Sequence, residues 1–114
     1  MSDSNSLPID VDVQQVDQMR KNNQDFLLLD IREEDERQTA SIDGTLFLPM
    51  SQLGDRIEEL DKHRDEHIVV HCHHGGRSLQ VTEALRERGY PRVQNMAGGI
   101  DQWSQQIDSS VPRY

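Results

Sequence analysis

Cys72 is the only cysteine among 114 residues, and it stands in the stretch His71-Cys72-His73-His74-Gly75-Gly76-Arg77-Ser78. The apolar run Ile68-Val69-Val70 before it reads as a buried strand, and Leu79 to Arg88 after it carries helical patterning that stops at Gly89. The thiol is therefore expected in a tight turn between the carboxyl end of a strand and the N-terminus of a helix. Gly75 and Gly76 permit positive φ and let a ligand approach the backbone closely. Successive N–H groups there, with the positive end of the helix dipole, form a cradle for an anion. Such surroundings favour the thiolate, the nucleophilic form of cysteine. A structural cysteine behaves as a small buried hydrophobe and has no use for paired glycines, an arginine and two histidines beside it. The spacing points to Cys72 as a nucleophile.

A metal centre is the competing use of His71, Cys72, His73 and His74. Four consecutive residues converge poorly on one tetrahedral ion, and zinc motifs space their ligands by two or more. No metal site is expected, and no cofactor is called for. Arg77 follows the cysteine by five positions, whereas the loops of protein tyrosine phosphatases and their dual-specificity relatives read His-Cys-x5-Arg, with the arginine one position later. Here that later position is Ser78. The shorter loop makes a smaller cradle, suited to a single sulfur atom and not to a tetrahedral phosphoryl group.

The elements that must hold this loop follow from the pattern of apolar residues. Ile9 and Val11 offer a short strand. Asp12 and Gln15 have the spacing of a capping box ahead of an apolar helical stripe of Val13, Val16 and Met19, which Asn22-Asn23 end. Phe26 to Leu29 is a continuous apolar run, as in a parallel strand covered on both faces. Arg32 to Arg37, nearly all charged, reads as a short exposed helix or turn with a solvated face. Leu46-Phe47-Leu48 is the next strand, stopped by Pro49. Ser51 is placed to cap a helix with Leu53, Ile57 and Leu60 on one side. The helix after Cys72 presents Val81, Ala84 and Leu85, and Gly89 stands at its C′ position. Val93 marks a last strand, and Gly98-Gly99 opens a helix with Ile100, Trp103 and Ile107 inward, Trp103 as core. Strands alternating with helices imply a parallel α/β sheet covered on both faces. Ligands of such sheets bind beyond the carboxyl ends of the strands, where Asp30 and Cys72 both fall.

Composition narrows the function. One domain is expected over residues 7–114, after a disordered segment over residues 1–6. A formal charge of −9 argues against nucleic acid or an anionic membrane surface as partner, because both require cationic faces. A lone cysteine forms no internal disulfide, and a reactive thiol suits a reducing compartment. No apolar run approaches the ~20 residues of a membrane span, and Met1 to Ser6 has no signal-peptide pattern, so a cytoplasmic location is expected.

The loop Cys72 to Ser78 after Ile68-Val69-Val70-His71 resembles the active-site loop of the rhodanese family, the sulfurtransferases. Three further stretches match in the family's order: Leu28-Leu29-Asp30-Ile31-Arg32, Ile42-Asp43-Gly44-Thr45 to Leu48-Pro49, and Gly89-Tyr90, Val93 and Met96-Ala97-Gly98-Gly99-Ile100 to Trp103. Together they cover the chain from about Ile9 to Tyr114. Ser41 stands where the family usually carries a histidine, and Asp43 is a small variation beside it. The resemblance implies a five-stranded parallel sheet in the order 1-5-4-2-3. It implies transfer of sulfane sulfur from a small donor such as thiosulfate, through a Cys72 persulfide, to cyanide or to a small or protein thiol. Backbone N–H groups of His73 through Ser78 would steady the charged sulfur. Arg77 and protonated His73 and His74 would attract the donor, and Ser78 would bond the sulfur or cap the helix. By motif position, Asp30 would brace the loop by pairing with Arg77, and Arg32 would line the entrance. The alternatives are an inert docking domain of the same fold, or a cysteine-dependent phosphatase or arsenate reductase.

Overall fold

The computed structural model describes residues 7–114, and the expectation of disorder over residues 1–6 lies outside the described residues. Five strands, β1 (Asp10–Val11), β2 (Leu27–Asp30), β3 (Leu46–Phe47), β4 (Ile68–His71) and β5 (Val93–Met96), alternate with five helices. The helices are α1 (Val13–Lys21), α2 (Glu34–Thr39), α3 (Met50–Asp61), α4 (Gly76–Glu87) and α5 (Gly99–Gln106). The strands pair in the order β1-β5-β4-β2-β3, and every pair is parallel, as the resemblance implied.

Alternation along the central strands sorts side chains into two cores. Leu28 of β2 and Val69 of β4 join Val13, Val16, Met96, Ile100 and Trp103 beneath α1 and α5. Leu29, Ile68 and Val70 point the other way, to Leu60, Val81, Leu85 and Tyr90 beneath α3 and α4. Cys72 belongs to this second core and is 1% exposed. Each Val or Leu buried this way contributes about 1.5–3 kcal/mol, which fixes the strand register that delivers the thiol.

The local signals behave as their chemistry requires, with exceptions. Asp12 and Gln15 form both halves of the capping box, and Asn22 closes α1. Trp103 is core at 4% exposure. Ser51 does not cap α3: the helix begins at Met50 behind Pro49, and the Ser51 hydroxyl instead donates to Glu33 Oε1 at 2.6 Å. Ala84 is exposed, and Thr82 takes the buried place on α4, its hydroxyl donating to the Ser78 carbonyl at 2.8 Å. The charged run from Arg32 to Arg37 leads into α2, but Arg32 is fully buried and Glu36 and Arg37 are half-buried. The two ends of that run therefore face protein and not solvent.

Candidate active site

Strand β4 ends at His71, and the chain turns through Cys72-His73-His74 into α4, whose first residues are Gly76, Arg77 and Ser78. The turn depends on Gly75, the N-cap, which sits in the left-handed region at φ 111°. A Cβ there would lie 3.2 Å from the Gly98 nitrogen, so the site rejects a side chain on two counts. Gly76 is ordinary helix and not a positive-φ residue.

The turn folds its amides back on the sulfur. The Gly75 N–H donates to Cys72 Sγ at 3.1 Å, the Ser78 N–H lies at 3.4 Å, and Ser78 Oγ stands 3.3 Å away. Ser78 is thus a partner of the sulfur and not the helix cap. Its hydroxyl donates to Asn95 Oδ1 on β5, and Asn95 Nδ2 donates in turn to Asp10 Oδ1 on β1 at 3.0 Å. The outer side of the turn is held by α5. The Ile100 N–H donates to the Cys72 carbonyl at 2.9 Å and the Asp101 N–H to the His73 carbonyl at 3.1 Å. With the Cys72 and His73 carbonyls engaged outward, two amides of the expected stretch from His73 through Ser78, those of Gly75 and Ser78, face the sulfur. These two helix N-termini, α4 inside and α5 outside, set the electrostatics of the turn.

Arg77 is not aimed into the turn. Its Nη1 and Nη2 donate to Glu36 Oε1 and Oε2 at 2.7 and 2.8 Å, a two-toothed pair. Arg77 holds Glu36 well below the usual carboxylate range, at about 2, with Tyr114 and the Glu33 amide adding to it against the opposing effect of burial. The Tyr114 hydroxyl donates to Glu36 Oε2 at 2.9 Å and accepts from Arg32 Nη1 at 3.0 Å. Burial is the main reason that the Tyr114 phenol is pushed up to about 12.

Asp30 and Arg32 do not act as motif position suggested. Asp30 accepts from Arg32 Nε at 2.9 Å, from Arg32 Nη2 at 2.8 Å and from Arg37 Nη1 at 3.1 Å, all away from Arg77. Arg32 has no exposed surface; it donates to the Ala40 carbonyl at 2.7 Å and ties β2 to the end of α2. Neither lines an entrance. Burial would raise the Asp30 pKa, yet the Arg32 hydrogen bonds hold it below its ordinary value.

His73 is stacked between His74 and Tyr114, with ring centroids 3.9 and 4.0 Å away. Burial, then the neighbouring His74, pushes His73 toward its neutral form. It is poorly suited to attracting an anion at neutral pH. His74 is exposed, with Nε2 3.8 Å from Asp101 Oδ2. Ligand atoms of His73, His74 and Asp101 lie within 4.8 Å of one another. An imidazole binds a metal in its own ring plane, and rings stacked only 29° from parallel direct their lone pairs side by side instead of toward one point. His71, with no exposed surface, is separated from this group, and neither of its ring nitrogens meets a partner among the described residues.

Sequence reasoning missed Glu36, Tyr114 and Asn95. The signal for Asn95 was present: Gln94-Asn95 interrupts an otherwise apolar strand between Val93 and Met96, and buried polar residues require partners. Glu36 lay inside a charged run that reads as solvated, and nothing local marks Tyr114.

The rhodanese-like domain family matches residues 12–106. The chain belongs to that family. It is 37% identical over 95 residues to a sulfurtransferase of Allochromatium vinosum, covering 83% of this chain and 87% of that one. It is 32% identical over 79 residues to the thiosulfate sulfurtransferase GlpE of Coxiella burnetii, covering 69% and 72%. Other relatives are much longer. The chain spans 30% of a rhodanese-like/PpiC domain-containing chloroplastic protein of Arabidopsis thaliana, with which it shares 36% identity over 91 residues covering 76% of this chain. Among solved structures, a rhodanese-related protein of Thermoplasma volcanium superposes with a TM-score of 0.75 at 27% identity, covering 88% of this chain and 94% of that one. The human single-domain sulfurtransferase TSTD1 shares the fold, with a TM-score of 0.73 at 24% identity over 88% of this chain and 98% of that one. Among the described residues of this rhodanese-like domain, no helix is long and apolar enough to cross a membrane.

Proposed function

We propose that this rhodanese-like domain moves sulfane sulfur from a donor such as thiosulfate to a thiophilic acceptor through a persulfide on Cys72. The observation that carries the reading is the pair of amide donors turned on one sulfur: the Gly75 and Ser78 N–H groups lie 3.1 and 3.4 Å from Cys72 Sγ, with Ser78 Oγ 3.3 Å away. In the first step the Cys72 thiolate attacks the outer sulfur of thiosulfate. An S–S bond forms to Sγ, the donor's own S–S bond breaks, and its electron pair leaves with sulfite. The terminal persulfide sulfur then carries the negative charge, which the turn amides and the α4 N-terminus are placed to hold. In the second step cyanide or a thiolate attacks that terminal sulfur. The new bond to the acceptor forms as the Sγ–S bond breaks, and the electron pair returns to Sγ as thiolate. One hard transfer is divided into two easier ones, with no cofactor.

The position of Arg77 favours sulfur over phosphorus. Phosphoryl transfer needs a guanidinium gripping equatorial oxygens inside the loop. Here the Arg77 guanidinium is held on Glu36. The relatives of similar length support the same reading, since they carry the names sulfurtransferase and thiosulfate sulfurtransferase. A cytoplasmic setting with a small or protein thiol as acceptor completes the proposal.

Intact-mass measurement after incubation with thiosulfate tests it. The expected result is a species heavier by one sulfur atom that disappears on adding cyanide, with thiocyanate formed, and no such species from Cys72→Ser. Substantial thiocyanate formation by Cys72→Ser overturns the mechanism, and Cys72-dependent hydrolysis of aryl phosphates by the unaltered protein overturns the assignment.

A further inference from the structure

The arginine of the Cys72 turn, Arg77, is neutralised from within the chain. Glu36 holds both Arg77 nitrogens, at 2.7 and 2.8 Å, and the pair is only part-buried, so it faces the medium from which a donor arrives. Tyr114 keeps the Glu36 carboxylate in place with a 2.9 Å hydrogen bond, and Arg32 in turn holds Tyr114 from the fully buried side. Among the described residues around the turn, the other basic side chains also have partners. His73 is confined between two rings and held toward neutrality, and His74 faces Asp101, which is itself paired with Arg113 at 3.0 Å. The chain as a whole is at −9. A dianion approaching Cys72 therefore meets a fixed carboxylate beside the cation that would otherwise attract it. A donor of lower net negative charge meets less of this opposition.

We propose that Glu36 is a specificity-determining residue that sets the charge preference of the sulfur donor, disfavouring dianions such as thiosulfate relative to persulfides of the cysteine type, whose ammonium group offsets part of their negative charge. The inference rests on sulfur transfer at Cys72 as read above. Glu36 acts through Arg77 and does not touch the reacting atoms, so it is a positioning residue. Its effect belongs to donor capture and appears in KM more than in kcat.

The experiment compares steady-state transfer from thiosulfate and from cysteine persulfide, to cyanide, in the unaltered protein and in Glu36→Gln. Glutamine keeps the size and the acceptor oxygen for Tyr114 while removing the charge. The expected result is a fall of about five-fold in KM for thiosulfate, the scale of one lost ion pair on the donor-binding cation. KM for cysteine persulfide and both kcat values should stay within about two-fold, and added salt should shrink the difference between the two proteins. Glu36→Asp should restore the discrimination at least in part, and adding Arg77→Gln to Glu36→Gln should cancel the gain. An unchanged or higher thiosulfate KM in Glu36→Gln overturns the proposal, as does an equal loss of kcat with both donors, which would mark a purely structural brace. If the unaltered protein forms no sulfur adduct by mass with either donor, the sulfur-transfer reading itself fails.

Discussion

At the scale of single residues, the site turns on which hydrogen bonds Ser78 can make. Its hydroxyl has one proton, and that proton is given to Asn95 while the oxygen stands 3.3 Å from Cys72 Sγ. In this arrangement the oxygen offers the sulfur a lone pair, and the amides of Gly75 and Ser78 supply the donors. When negative charge rests on the sulfur, rotation of the hydroxyl turns its proton from Asn95 to the sulfur. Ser78→Ala removes that option but keeps the amide. We expect sulfur transfer to slow about ten-fold, the rate equivalent of one hydrogen bond of about 1.4 kcal/mol, with the fold intact by circular dichroism. A rate equal to that of the unaltered protein would mean that the amides alone hold the charge. The candidate site around Cys72 was legible in the sequence because thiol, glycines and cation are neighbours in the chain. Glu36 was not, because its partner Arg77 is 41 residues away and a carboxylate in a charged run carries no local mark of pairing.

At the scale of elements, the turn is the product of two glycine-bearing junctions pressed together. Gly99 opens α5 at φ 58°, and a Cβ there would lie 2.4 Å from the His73 carbonyl oxygen and 2.5 Å from that of Cys72. Those carbonyls are the acceptors that α5 uses to lock the turn. Gly99→Ala forces backbone atoms apart, and the amides on the other side of the turn lose their aim at Sγ. Loss of more than about nine-tenths of activity is expected, against a destabilisation of about 1–3 kcal/mol in urea titration; full activity would show that the α5 lock is dispensable. The Asp30–Arg32 pair is a brace of a different kind, buried completely between β2 and α2. Asp30→Asn leaves the Arg32 charge in the interior with weaker partners, and a loss of about 3–5 kcal/mol is expected from denaturant unfolding. A loss below about 1 kcal/mol would mean that Arg37 and the surrounding carbonyls suffice. The strands and most helices could be read from periodicity because burial acts on every turn of them. The start of α3 could not, because Ser51 has the chemistry of a cap but its hydroxyl is drawn to Glu33 across the fold.

At the scale of the molecule, the sheet carries a titratable group in its centre. His71 ends β4, pairs in register with Asp30, and has no exposed surface. Burial pushes its imidazole down to about 4 from an ordinary 6.5, with Asp30 opposing and Arg32 and Arg37 assisting. The unfolded chain therefore binds a proton at this residue through a range in which the folded chain refuses it. The contribution to stability is fully present above about pH 6.5 and is lost progressively as pH falls toward about 4. Between pH 7 and pH 5 the loss from this one residue is about 2 kcal/mol. His67 and His73 are pushed in the same direction and add to the slope. The lowered carboxylates, Asp30 and Glu36, act below this window, because their unfolded values lie near 4. We expect the urea midpoint to fall on acidification from pH 7 to pH 5, and His71→Met to remove a measurable part of that fall while filling the space. Proton resonances of the His71 ring in the unaltered protein give a second reading, independent of whether the variant folds. They should show the neutral ring down to pH 5. An imidazolium already dominant at pH 6 would mean that water or a carboxylate reaches His71, and the interior beneath the Cys72 turn would then be wetter than its packing implies.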